Sequence, residues 1–183
     1  MPEPAEKRWT FEEFLAWDDG TDRRYELIDG KIVEIPLQPE AHGTIMATLG
    51  ALLHQSLLRP CRALIRAGIV PPDRDATYYQ ADLVVTCTPP QRGRQHPADP
   101  KLVVEVVSET TAVLDRGQKL DDYHRLPSVR EILLVLSEER RVRSWRRDGR
   151  RSIVEDLIGE AELHLDTVPA PIPLAAIYEG SRV

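Results

Sequence analysis

Apolar residues along the chain follow two spacings, and each spacing predicts a kind of element. Phe11, Phe14 and Leu15 recur at the period of an amphipathic helix. Thr10 and Glu13 bracket its first turn as a capping box, so a short helix is expected through Trp17, ended by Asp18-Asp19-Gly20. Two β-prone runs then flank Asp29-Gly30: Arg24 to Ile28 and Lys31 to Ile35. An Asp-Gly pair between such runs predicts a tight hairpin. Ile45, Leu49, Leu52, Leu53 and Leu57 return to helical spacing, which predicts a longer helix over about 41–58, stopped by Pro60.

Beyond Pro60 the pattern is mostly that of strands. Arg62 to Ile69, Tyr78 to Thr86 and Lys101 to Ser108 are short apolar runs, the last two joined by a polar, proline-rich connection over 89–100. Glu109 to Arg125 carries Val113, Leu120 and Tyr123 at helical intervals and ends before Pro127. Arg130 to Leu136 predicts a further strand. Val142 to Arg147 and Ser152 to Leu157 predict a hairpin turning at Asp148-Gly149, and Pro173 to Tyr178 a last helical turn. No repeat or linker divides the 183 residues, so one domain over 1–183 is expected: an α/β sandwich with a mixed sheet flanked by helices.

Composition adds exclusions. The formal net charge of −6 rules out a uniformly basic nucleic-acid coat, though a local basic stripe would suffice to meet phosphates. The densest positive run is Arg140, Arg141, Arg143, Arg146, Arg147, Arg150 and Arg151, which reads either as a solvated hairpin face or as a phosphate-contacting one. Aromatic residues are only 5% of the chain, which argues against a base-stacking platform. No apolar run approaches the roughly 20 residues of a membrane span, and Met1 to Arg8 lacks the apolar segment of a secretory signal. Cys61 and Cys87 have no metal-ligand spacing and are expected to be reduced, small apolar residues of a cytoplasmic protein.

The chemistry lies in acids set among apolar strand residues. Glu105 interrupts Leu102-Val103-Val104-Glu105-Val106-Val107, a run that reads as a strand buried on both faces. A carboxylate there needs a metal, a lysine or a proton to compensate its burial. Asp82 opens the apolar run before it, Asp82-Leu83-Val84-Val85. Neighbouring strands in the correct register would let the two acids share a face, where a hard cation such as Mg²⁺ or Mn²⁺ would relieve their repulsion. Asp82 alone also fits a strand cap, and Glu105 alone a salt-bridged core residue. Asp115, Lys119 and Tyr123 are four apart on the predicted helix and share a face. That face either carries an exposed ion pair or aims Lys119 at the acids.

Taken in order, Tyr25-Glu26-Leu27-Ile28-Asp29-Gly30, His42, Ala81-Asp82-Leu83-Val84-Val85, Leu102 to Thr111 and Asp115-Arg116-Gly117-Gln118-Lys119 with Tyr123 resemble the Uma2 family (DUF820), described as a "putative restriction endonuclease". The resemblance covers about residues 10–150. It implies a branch of the PD-(D/E)XK nuclease superfamily, with a restriction-endonuclease-like mixed sheet flanked by helices. It implies that Asp82 and Glu105 are metal ligands, that Glu26 and His42 border the same site as catalytic residues, completing the metal shell or assisting proton transfer, and that Asp115 and Tyr123 support it. The lysine expected two residues after the glutamate is replaced by Val107, and the resemblance assigns its role to Lys119. Ala81 stands where proline is common. The implied activity is Mg²⁺-dependent hydrolysis of DNA by a homo-oligomer, most simply a dimer, with no membrane partner. The alternatives are a catalytically inactive binding or oligomerising domain that keeps the site, and a hydrolase of RNA.

Overall fold

The computed structural model describes residues 7–108, 115–149 and 151–183, the side chains of 115 and 116 excepted. The first element, α1 (Phe11–Ala16), opens on the capping box expected from Thr10 and Glu13. Strands β1 (Arg24–Ile28) and β2 (Lys31–Ile35) then form an antiparallel hairpin. Asp29 and Gly30 both have positive φ, 49° and 82°, as a two-residue turn matched to strand twist requires. Gly30 is also closely approached, because a Cβ there would lie 2.2 Å from Arg8 Cγ. The hairpin docks on the main body through Leu27 and Tyr78, which exchange backbone hydrogen bonds of 2.9 and 2.7 Å.

The long helix α2 (Glu40–Ser56) precedes three antiparallel strands: β3 (Arg62–Ile69), β4 (Tyr79–Thr86) and β5 (Pro100–Val107). Residues 109–114 lie outside the described residues. From Asp115 the chain makes a π-type turn to Lys119, kinked at Gly117, and continues as α3 (Leu120–Arg125). The helix expected over 109–125 is therefore broken in its described part. The remaining strands are β6 (Glu131–Leu136), β7 (Arg141–Asp148) and β8 (Arg151–Ile158). A small pair, β9 (Glu162–Leu163) and β10 (Ile172–Pro173), leads into α4 (Leu174–Ile177).

Strands β3 to β8 lie side by side in chain order as one six-stranded sheet. All its pairs are antiparallel except β5 with β6, whose crossover contains α3. The mixed sheet with flanking helices is the architecture expected from the sequence. One face packs against α2 and α4: Ile45, Leu49 and Leu53 meet Leu83, Val104, Val106, Leu133 and Leu174. The other packs against α3: Leu120, Tyr123 and Leu126 meet Val84, Val103 and Ile132. Covered on both sides, β5 and β6 are buried almost throughout.

One expectation is overturned. Cys61 and Cys87 are joined by a disulfide. Cys61 directly precedes β3 and Cys87 directly follows β4, so they occupy the rung beyond Arg62↔Thr86. Register, rather than spacing along the chain, brings them together. No described helix is long and apolar enough to cross a membrane.

Candidate active site

Strands β4 and β5 pair as far as Leu83↔Val104. At the next positions the ladder gives way to side chains. The Asp82 carboxylate, through Oδ2, accepts the Val106 backbone N–H at 2.8 Å, a bond a strand carbonyl would otherwise take. The same oxygen lies 3.1 Å from His42 Nε2. A carboxylate only accepts, so that nitrogen carries the proton. His42 sits in the first turn of α2 and is buried there. Asp82 is thus held from the α2 side of the sheet.

Glu105 is held from the opposite side. It is 4% exposed, and its Oε1 accepts a 2.5 Å hydrogen bond from the Tyr123 hydroxyl of α3. Lys119 Nζ lies 3.1 Å from the same oxygen and 2.9 Å from Glu26 Oε1. Glu26 also accepts the Gln80 backbone N–H at 2.7 Å, which ties the β1–β2 hairpin to β4. Lys119 and Tyr123, one helical turn apart, point the same way, as their spacing predicts. The side chain of Asp115 lies outside the described residues.

A cleft of about 590 Å³ opens where these groups converge. Glu26, His42, Asp82, Glu105, Val106 and Lys119 all line it, along with Arg24, Tyr79 and Gln118. Asp82 and Glu105 stand on the rung beyond Leu83↔Val104, and both line this one cleft where the ladder ends.

Several participants were not anticipated. Asp122 is fully buried, accepting from the Tyr79 hydroxyl at 2.7 Å and pairing with Arg74 Nε at 3.1 Å. Burial, and then the Asp122 carboxylate, raise the Tyr79 pKa, so its hydroxyl stays a donor. This rigid trio backs the wall of the cleft behind Lys119. Asp122 lies three residues after Lys119, on the inward face of the helix, and that placement was its one sequence signal. Arg24 lines the cleft from β1. Partial burial, and then the guanidinium of Arg66, lower its pKa, while Asp82 and Glu26 raise it.

The charge balance decides what the cleft can hold. Four carboxylates, Glu26, Glu34, Asp82 and Glu105, line the cleft against Arg24 and Lys119, so the group remains acidic even with both cations in place. Hard oxygen donors with excess negative charge suit a divalent cation such as Mg²⁺. Among the described residues no three His, Cys, Asp or Glu side chains form an ion-binding group by themselves. Mg²⁺ tolerates this, because it commonly binds through one or two carboxylates and keeps several waters. Asp82 and Glu105 are oxygen donors of the type such an ion takes, and both line the cleft.

The fold and this acidic cleft define a nuclease-like α/β protein. The chain belongs to the Uma2 family, whose description reads "Putative restriction endonuclease" and whose profile matches residues 11–175. It is similar to "Uncharacterized protein slr1290" of Synechocystis sp., at 27% identity, covering 92% of this chain and 90% of that protein. A second Synechocystis protein, "Uncharacterized protein sll1609", is 24% identical, covering 82% and 88% of the two chains. Among solved structures, a "putative nuclease belonging to DUF820" from Anabaena variabilis superposes with a TM-score of 0.72. It covers 92% of this chain and 97% of its own at 16% identity, a likeness of fold.

Proposed function

We propose that this protein is a metal-dependent endonuclease that hydrolyses phosphodiester bonds in DNA within the cleft between β4, β5 and α3. The observation that carries the reading is the convergence of Asp82, Glu105 and Lys119, from separate elements, on one acidic cleft. Asp82 and Glu105, with the Val106 carbonyl, would hold Mg²⁺ or Mn²⁺. When bound, such an ion polarises a phosphate oxygen and lowers the pKa of a water.

The chain's own residues do the rest. Lys119, presented on the cleft wall, orients the attacking water or stabilises charge developing on the phosphate. Glu26 holds the Lys119 ammonium at 2.9 Å and so fixes its aim. Tyr123 fixes the Glu105 carboxylate, and His42 fixes that of Asp82. Cutting both strands of a duplex takes two sites, so the reading includes a homodimer. An enzyme acting on cellular DNA would work in the cytoplasm.

One observation favours a second reading. Lys119 already bridges Glu26 and Glu105, and a closed ion-pair network of this kind would suit a non-catalytic binding domain that keeps the site as structure. The test is Mg²⁺- and Mn²⁺-dependent cleavage of duplex and single-stranded DNA, with RNA as a third substrate and Glu105→Gln as control. Cleavage of DNA that vanishes in the variant, with its fold intact, supports the nuclease. Full activity in the variant, or no cleavage together with no metal binding by calorimetry, overturns it.

A further inference from the structure

The arginine-rich hairpin is the obvious place to look for phosphate contacts, and it is largely committed elsewhere. Arg143 grips Asp156 through two N–H groups at 2.9 and 2.5 Å. Arg141 lies between Glu139 and Asp156. Arg147 donates to the carbonyls of His124 and Leu126, and Arg140 to that of Val183. These charges brace β7, β8 and the end of the chain. Arg150 lies outside the described residues.

A different set of arginines borders the cleft. Ile65 pairs with Leu83 and Ala67 with Ala81, so the rung between them falls to Arg66 and Asp82. Arg66 therefore stands opposite an acid of the site, on the next strand. Its φ is +51°, a left-handed conformation inside a strand that few non-glycine residues adopt. Strained residues of this kind persist where the surrounding structure imposes them, and they cluster at functional sites. Arg66 is exposed, and with Arg62 and Arg94 it lines a groove of about 310 Å³ between β3 and the proline-rich segment 89–98. Arg66 lines the groove and Asp82, across the rung from it, lines the cleft, so groove and cleft are neighbours.

These four arginines are available. Arg62 donates to the Thr88 carbonyl and Arg94 to the Gln91 side chain. Among the described residues none of Arg24, Arg62, Arg66 and Arg94 is ion-paired with a carboxylate. The groove that Arg62, Arg66 and Arg94 line has no Asp or Glu in its lining, and like-charged guanidinium groups so placed form a site for an anion with repeated charges. Their planar forks match phosphate oxygens in pairs.

We propose that Arg62, Arg66 and Arg94, continued by Arg24, form a phosphate track that leads the DNA backbone along β3 into the cleft, with Arg66 gripping a phosphate beside the scissile one. The proposal rests on the nuclease reading of the cleft. It moves the DNA-contacting surface from the β7–β8 hairpin to the opposite edge of the sheet.

The test is fluorescence anisotropy of a fluorescein-labelled duplex DNA with the full chain, in Ca²⁺ in place of Mg²⁺, across a salt series. The variant is Arg66→Asn with Arg94→Ala; asparagine tolerates the left-handed backbone, and thermal melts check the fold. The control is Arg146→Ala with Arg151→Ala. The track variant is expected to bind roughly tenfold or more weakly, with the slope of log Kd against log salt reduced by about two, and the control to match the wild type. Unchanged affinity and slope in the track variant, or an equal loss in the control, overturns the proposal. Wild type that cleaves DNA while the track variant binds normally removes the track alone. Wild type that neither binds nor cleaves DNA removes the nuclease reading and the track with it. A labelled RNA of the same length, bound more tightly through the same arginines, would overturn the assignment to DNA.

Discussion

The ammonium of Lys119 lies 3.1 Å from Glu105 Oε1, the oxygen that also accepts the Tyr123 hydroxyl. Glu105 comes from the middle of β5 and Lys119 from the start of α3. Two donors from one helix thus converge on a single oxygen of a buried acid. The ammonium and the neutral hydroxyl together make the acid tolerable in the core and fix the side of it that faces the helix.

Removing the lysine charge exposes how much depends on it. Lys119→Met leaves Glu26 and Glu105 facing each other in a buried setting, which should cost about 3–5 kcal/mol. Cleavage should fall on the order of a hundredfold or more. Urea unfolding with and without Mg²⁺ checks the first part, and added Mg²⁺ should recover some of the loss. Stability equal to wild type would show that the lysine compensates neither acid.

Tyr123→Phe removes one hydroxyl and little volume. The lost bond is to a charged group, so destabilisation of about 1.5–3 kcal/mol is expected. Cleavage should fall less than in Glu105→Gln, because the carboxylate remains. Parallel melts and single-turnover rates of the two variants make the comparison.

Glu131 predicts a pH effect far from the cleft. It is 2% exposed, its Oε1 accepts the Asp166 N–H at 2.9 Å, and among the described residues its Oε2 has no hydrogen-bond partner. Burial pushes its pKa from the ordinary 4.5 up to about 7, against the opposing pull of the Asp166 N–H. Between those values the folded chain keeps a proton that the unfolded chain has lost. The stabilisation is complete below the lower value and is lost as pH rises through the higher one, by about 3 kcal/mol in all. Glu131→Gln should flatten stability between pH 5 and 8 and be the more stable protein at pH 8. Urea midpoints at both pH values measure it, and a parallel loss in the two proteins would contradict it.

The Cys61–Cys87 disulfide closes a loop of 26 residues that contains β3, β4 and the turn between them. Reduction should lower stability by about 3.5 kcal/mol on the chain-entropy account. Unfolding with and without dithiothreitol, alongside Cys61→Ser/Cys87→Ser, gives the value. In a reducing cytoplasm the bond would be open to attack, so thiol counts on protein taken from cells would report which form is carried there.

Local patterns foretold most of the architecture. The capping box at Thr10, the Asp29-Gly30 turn and the apolar runs of β3 to β8 each carry their own signal, because turn chemistry and periodicity act within a few residues. Glu105 was legible for the same reason, as a charge inside an apolar run. What escaped depended on contacts remote in sequence. The disulfide needed the β3–β4 register. The anchoring of Asp82 by His42 and of Glu105 by Tyr123 needed two helices remote in sequence from the strands. Asp122, with partners at Arg74 and Tyr79, looks like one more acid on a charged helix until those partners are known. The hairpin arginines stayed open between two readings because a dense run of charge says nothing of the acids across the strand, and Asp156 takes two of them.

The end of the β4–β5 ladder has a consequence for how activity would fail. One acid of the cleft, Asp82, is moored to the layer of α2 and the other, Glu105, to the layer of α3, so neither half of the molecule owns the centre. Loosening either layer would swing one acid away while the rest of the architecture still stood. Heat inactivation should therefore set in with the first separation of a helix from the sheet, and no partly melted form should keep a working fraction of its rate.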